Sequence, residues 1–368
     1  MPVWLFVPLL FFIRMFGLFS LIPLMKPLLE SLAIPVTPVT LALLSSSYSL
    51  SQAIFQWPLS ALSDKYGRLF IIRFGLLLFA LGSIIAYFSN SLSGIIISRI
   101  IQGAGAIGAT AQAFLADHAQ GEKFQLNFYL IGIAIAISFG LSFLIAPLFS
   151  SYFIPKQLFL IITILIFGGL IASYYVKNIK KSETIDKQAF IFSKPICLIL
   201  ASSFIIHFLQ TYLFTSYPLL TLNNPTATYR NLFCYAFLFS LYPLAKRNFK
   251  LILSYCIFCI FIFFIASLYL NYIYQNSKYL YDYYILMILL ILLLLEATLP
   301  SLLTIHMNGK KGAIIGLYST SQYLAMSLGG IMVASTSSPQ KIFFMQLLCY
   351  FLLLLTLQGL NESRPSSS

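Results

Sequence analysis

Residues 63–68 read Ser-Asp-Lys-Tyr-Gly-Arg, an acid and two bases within six positions, set between apolar runs of membrane length. Almost everything around them is oily. Of 368 residues, 60% are hydrophobic and 8% charged, and the mean hydropathy is +0.92. Soluble domains carry about a quarter charged residues, so this composition excludes an ordinary water-soluble fold. A membrane-crossing helix takes ~20 apolar residues, because the hydrocarbon core is about 30 Å thick and each residue rises about 1.5 Å. Transmembrane strands would alternate in polarity, and these runs do not. The class is an all-α membrane protein.

Working outward from residue 63, apolar runs bounded by charge, Pro or Asn clusters predict spans near 3–29, 39–62, 70–89, 94–116, 126–150 and 157–176. A second set follows near 196–222, 228–245, 251–272, 281–304, 312–335 and 341–360. The expected organisation is an N-terminal six-helix bundle over 1–176, a polar, basic linker over 177–194, a C-terminal six-helix bundle over 195–360 and a tail over 361–368. The opening residues, MPVWLFVPLLFFIR, carry neither a basic leader nor a small-residue cleavage site and read as a retained first span.

The net charge is +13. With the N-terminus inside, fifteen of the 22 Lys and Arg fall on the cytoplasmic face, five on the other, and Arg14 and Arg99 within spans. That bias follows the positive-inside rule, so the basic charge reads as topology rather than as a nucleic-acid surface. Both termini are expected in the cytoplasm. The Tyr-rich stretch 271–284 suits the outer interface.

Two six-span halves joined by a linker is the layout of a secondary transporter with a cavity between repeats. A faint internal echo supports it: Pro58-Leu59 before the charged stretch has a counterpart in Pro243-Leu244 before Lys246-Arg247-Asn248-Phe249-Lys250. No GxxxxGK[ST] loop occurs, so an ion gradient must drive any transport. No cofactor is expected. The cysteines Cys197, Cys234, Cys256, Cys259 and Cys349 all lie in apolar runs. Cys256 and Cys259 have metal-like spacing but no charged or His neighbour, so packing thiols are expected and no metal. The scattered His118, His207 and His306 argue against an enzyme or sensor.

Ser60-Ala61-Leu62-Ser63-Asp64-Lys65-Tyr66-Gly67-Arg68, between the second and third spans, resembles the signature loop of the major facilitator superfamily, Gly-x-Leu-Ala/Ser-Asp-Arg-x-Gly-Arg. It departs at Ser60, Lys65 and Leu69. Arg99-Ile100-Ile101-Gln102-Gly103-Ala104-Gly105 is similar to the family's Arg-x-x-Gln-Gly-x-Gly signature. Phe139 to Pro147 resembles a worn antiporter motif, with Ala146, Ser150 and Ser151 at glycine positions. Residues 14–24, 51–68, 295–302 and 316–330 are similar to the YajR-type branch, bacterial inner-membrane transporters assigned to drug efflux. Members of that branch can carry a soluble C-terminal domain, which is not expected here. The resemblance implies a bacterial inner-membrane exporter of small amphipathic compounds, exchanging them for protons by alternating access as a monomer. A specific metabolite or siderophore exporter is the alternative.

Individual residues then take expected roles. Asp64 and Arg68 are four apart, a spacing that allows an ion pair, and Asp117 ends the fourth span at the same face. The eleventh span begins near Gly312 with free N–H groups that favour a carboxylate, for which Asp64 is the candidate. With Lys65 and Gly67, these residues form a latch between the halves, a role the resemblance also implies; composition alone would allow a solvated turn. Arg14 holds an anionic substrate group or balances a titrating acid. Arg99 is a cavity cation or a structural partner of Gln102. Glu296 is a proton-exchanging carboxylate or a hydrogen-bonded structural acid, and His207, near Gln210, is a titrating partner or a satisfied core histidine. Trp57, Tyr212, Tyr318 and Tyr323 are candidates to line the substrate cavity.

Overall fold

A computed structural model of the chain describes residues 1–118, 122–176, 193–220, 249–269, 311–335 and 338–362. Between 284 and 303 it describes 284–285, 287–289, 291–292, 295–296, 298–300 and 302–303. All regular structure among these residues is helical: α1 Val3–Phe19, α2 Leu21–Ser31, α3 Pro38–Tyr66, α4 Arg68–Phe88, α5 Leu92–Ala104, α6 Gly108–His118, α7 Glu122–Tyr152, α8 Gln157–Tyr174, α9 Lys194–Leu220, α10 Phe249–Leu268, α11 Lys311–Ala334 and α12 Pro339–Glu362. The residues described between 284 and 303 are helical as well. The expected eighth span at 228–245, linker residues 177–192 and the last six residues lie outside the described residues, as do the side chains of Ala146, Ser150 and Ser151.

Four helices and the α5–α6 pair are considered by length and apolarity alone: α4, α8, α9 and α12 can each cross a membrane, as can 92–118, and the bent pair α1–α2 makes a sixth candidate. The remaining long helices occupy the positions of other expected spans. Among them, α3 carries Ser45, Ser46, Ser47, Ser49, Ser51, Gln52 and Gln56, polar groups suited to facing other helices rather than lipid.

Two spans depart from simple rods. The first bends by 40° between α1 and α2. Pro23 removes the N–H that Phe19's carbonyl would accept, which favours a bend there. Ser20 Oγ donates to the Phe16 carbonyl at 2.5 Å and lies 3.0 Å from Ser142 Oγ of α7, so the bend is tied to its neighbour. The expected fourth span is interrupted: residues 105–107 leave helical geometry, with Gly105 at ψ 39°. Gly103 and Gly105 lower helix propensity by about 1 kcal/mol each relative to Ala. They also allow close packing, since a Cβ on Gly103 would run into the Tyr48 carbonyl of α3.

Apolar packing divides largely by half. One core joins Phe6 through Val176; the other joins Ile196 through Leu360 and takes in Phe139 of α7. Phe139 meets Phe19 edge-on at 5.1 Å and Phe214 of α9 at 5.3 Å. The most extensive helix contact among the described elements is α3 on α11, one helix from each half. It runs from Ser45 and Ser46 against Gly330 at one end toward Trp57 near Gly316 at the other. The candidate site lies along this seam.

Candidate functional site

At the SDKYGR end of the seam, Gly67 has φ +96° and ψ 143° and caps α3 through its N–H to the Ser63 carbonyl at 3.0 Å. Side chains with a Cβ rarely adopt this backbone, and it lets α4 start at the next residue. Arg68 is thereby turned back over α3. Its Nη2 lies 2.7 Å from Asp64 Oδ1, its Nη1 donates to Ser63 Oγ at 2.5 Å, and its Nε donates to Asp117 Oδ2 at 3.1 Å. All three guanidinium nitrogens have their own acceptor. Arg68 is 11% exposed, while Asp64 and Asp117 are 54% and 36% exposed, so each pair is worth about 0.2–1 kcal/mol.

Lys65, a further member of the expected latch, stands apart from this triad. Lys65 Nζ lies 5.4 Å from the Tyr66 ring centroid. Gly312 sits in the first turn of α11, but the side-chain surroundings of 311–313, and with them the Asp64–Gly312 relation, lie outside the described residues. Trp57 is 61% exposed, and its ring edge lies 3.8 Å from where a Cβ on Gly316 would stand.

Deeper in the N-terminal half, a polar chain runs through buried side chains. Arg14 of α1 donates through Nη2 to Tyr48 Oη at 3.4 Å, and the Arg99 guanidinium of α5 lies over the Tyr48 ring, 4.5 Å from its centroid. Arg99 Nη1 donates to Gln102 Oε1 at 2.6 Å, and Gln102 Nε2 donates to Ser83 Oγ at 2.9 Å. Neither arginine has a carboxylate within ion-pair distance among the described residues. Nearby, both amide atoms of Gln52 and of Gln56 are buried without a hydrogen-bond partner.

Across the seam, α9 and the residues described between 284 and 303 bring together side chains far apart in sequence. Glu296 Oε1 lies 3.4 Å from His207 Nε2, and Gln210 Nε2 donates to Glu296 Oε2 at 3.1 Å. His207 Nδ1 is 2.8 Å from the Ser203 carbonyl, which can only accept, so Nδ1 carries a proton. In neutral imidazole Nε2 would then present a lone pair to the carboxylate. Attraction therefore requires a second proton, on Nε2 or on Glu296.

Tyr212, Tyr318 and Tyr323 are all buried. Tyr323 Oη of α11 and Arg14 Nη1 of α1 each lie 3.8 Å from the point where a Cβ on Gly108 would stand, so Tyr323 approaches polar groups of the N-terminal half. Sequence reasoning missed Ser63, Tyr48, Gln52, Gln56 and Gly108. The i, i+4 spacing of Gln52 and Gln56 within a span was the available signal, since polar side chains there face protein or water.

Comparison with known proteins places this geometry. The family model described as Major Facilitator Superfamily matches residues 8–330. A protein named "Uncharacterized transporter" from Buchnera aphidicola subsp. Schizaphis graminum is 34% identical over 340 residues, 88% of this chain and 86% of that protein. The "Inner membrane transport protein YajR" of Escherichia coli is 28% identical over 87% of this chain and 74% of its own length. A class H tetracycline resistance protein of Pasteurella multocida is 36% identical over 102 residues, 27% of this chain and 24% of that protein. The crystal structure of the human organic anion transporter MFSD10 shares the fold, with a TM-score of 0.73 over 97% of this chain and 98% of its own, at 15% identity.

The chain belongs to the Major Facilitator Superfamily. It is a multi-pass membrane protein and a secondary transporter, and its resemblance to the YajR-type branch is borne out.

Proposed function

We propose that the protein is a proton-coupled exporter of small organic compounds in a bacterial inner membrane, with both termini cytoplasmic. Its two six-helix bundles alternate access to a site along the α3–α11 seam. The observation that carries proton coupling is the Glu296–His207 contact, which needs one shared proton at 3.4 Å. Such a group is neutral overall in either protonation arrangement and becomes a part-buried carboxylate facing a neutral imidazole when the proton leaves, its side chain 22% exposed. Release is then favoured when the bundle opens Glu296 further to water or changes its surroundings, which links proton movement to alternating access.

The Arg68 triad supports a conformational role. It ties the α3–α4 turn to the end of α6, giving the cytoplasmic ends of the N-terminal bundle one rigid surface against which α11 closes. The outward direction is supported by the relation to a tetracycline resistance protein over part of the chain, and the inner-membrane location by the YajR relative. The positive-inside distribution sets the orientation.

The test is transport in proteoliposomes with an imposed pH gradient, a panel of cationic dyes and organic acids, and a pH-sensitive dye inside. Wild-type protein should move protons in response to a transported compound. Glu296→Gln should still exchange compound across the membrane while the accompanying proton flux disappears. Undiminished compound-driven proton flux in Glu296→Gln would exclude this pair as the coupling site.

A further inference from the structure

The interruption at 105–107 creates a buried helix N-terminus at α6, well inside the protein. The first backbone bond into α6 from outside the helix is Ala111 N–H to the Ile107 carbonyl at 2.8 Å. The N–H groups of Gly108, Ala109 and Thr110 have no backbone acceptor among the described bonds, and all three residues are buried. Orphan first-turn amides and the helix dipole together favour an anion.

Side chains from three other helices converge on the same point. A methyl group placed on Gly108 would lie 3.2 Å from Gln56 Nε2 of α3, and 3.8 Å from both Arg14 Nη1 of α1 and Tyr323 Oη of α11. Gln56 is fully buried, and neither of its amide atoms has a partner; Arg14 Nε and Thr110 Oγ1 are also buried and unpartnered. Native interiors rarely leave such groups unsatisfied, and each costs about 1–3 kcal/mol when left so. Here the unsatisfied set is rich in donors, carries a full positive charge, and has no carboxylate within ion-pair distance among the described residues. Glu296 is engaged by His207 and Gln210.

We infer that Arg14, Gln56 and the amides of Gly108 to Thr110 bind the carboxylate of the transported compound, with Tyr323 of the other half closing over it. The cargo is therefore an organic acid or a zwitterion presenting a carboxylate. This deepens the transport reading by naming its substrate class, and it assigns opposite duties to the halves: anion recognition in the N-terminal half, proton holding in the C-terminal half. A ligand bridging Arg14 and Tyr323 would also tie α1 and α6 to α11, so occupancy would be felt across the seam.

The test is thermal unfolding of purified protein in detergent, titrated with sodium benzoate, with benzylamine hydrochloride and with sodium chloride at matched ionic strength. Benzoate should raise the unfolding midpoint, and the other two should not. Gln56→Leu should weaken the benzoate response about tenfold, the loss expected for one hydrogen bond to a charged group, and Arg14→Gln should abolish it. Gly108→Val, which fills the space beside Arg14 and Gln56 without removing a charge, should abolish it too and serves as the second variant if Arg14→Gln does not fold. Glu296→Gln should keep the benzoate response, so failure of proton coupling and failure of anion binding are read separately. Equal stabilisation by chloride, stabilisation by benzylamine instead, or an undiminished benzoate response in Arg14→Gln or Gly108→Val would overturn the assignment.

Discussion

Arg68 and Asp117 stand 49 residues apart in the chain and meet at 3.1 Å between Nε and Oδ2. The contact joins the start of α4 to the end of α6, and Asp64 holds the same guanidinium from the last turn of α3. Three helix ends of the N-terminal half are fastened through one side chain. A planar guanidinium with a donor on each nitrogen can do this; an ammonium point charge cannot hold the same fork.

Arg68→Lys should therefore reduce transport more than Asp117→Asn or Asp64→Asn, each of which removes one exposed pair worth about 0.2–1 kcal/mol. The readout is the initial transport rate in proteoliposomes divided by the amount of inserted protein. Insertion should be unchanged, because positive charge near the membrane surface is retained in the lysine variant. Wild-type turnover by Arg68→Lys would show that the fork has no part in transport.

Gly67 sets the geometry of that fork. At φ +96° a Cβ is strained by about 1–3 kcal/mol, while nothing lies within 4 Å to obstruct the added atom. Gly67→Ala should thus lower the unfolding midpoint through backbone strain alone. Gly168→Ala in α8 is the matched control, since it also meets open space and has no positive φ; it should leave the midpoint unchanged or raise it. Equal midpoints for the two variants would refute the strain account.

Much of this was legible in the sequence because it is local. The Asp64–Arg68 spacing is a one-turn relation, and Asp117 could be placed with them because counting spans puts both loop ends on one face. The helical class and most span positions followed from apolar run length for the same reason. The Glu296–His207–Gln210 cluster was not legible as a cluster: Glu296 lies 86 residues from Gln210 and 89 from His207, and only the packing of α9 beside the residues described between 284 and 303 brings it to them. The break at 105–107 was hidden too. An apolar run with glycines reads as one span, and its interruption depends on close contacts with α3 and α4 that no one-dimensional pattern records.

Arg99 is held against an aromatic ring inside the N-terminal half. Its guanidinium lies 4.5 Å from the Tyr48 ring centroid, and both residues are buried. A desolvated cation–π contact is worth about 2 kcal/mol or more, whereas the Arg14 bond to Tyr48 Oη is long at 3.4 Å. Tyr48→Phe, which keeps the ring, should change the unfolding midpoint little. Tyr48→Leu, which removes it, should lower the midpoint clearly. If the two substitutions are equally damaging, the hydroxyl rather than the ring carries the stabilisation.

At the far end of the seam, α11 approaches α3 so closely that a Cβ on Gly330 would run into the hydroxyls of Ser45 and Ser46. Small residues on both helices permit this contact, and it lies at the opposite end of α3 from the Arg68 triad. Alternating access requires that one end of the seam part while the other closes, so a wedge here should act on the equilibrium rather than on folding. Overpacking costs about 1–3 kcal/mol, equivalent to a roughly 5- to 150-fold shift between two states. Gly330→Val should favour the form in which this end is parted and slow transport accordingly. Labelling of a cysteine introduced at Ser46 should rise in parallel, as this end becomes accessible. Ser46→Gly removes one of the obstructing hydroxyls, so the double variant Ser46→Gly/Gly330→Ala should transport faster than Gly330→Ala alone. A double variant no better than the single would show that the close approach of α3 and α11 at this point is not what limits the cycle.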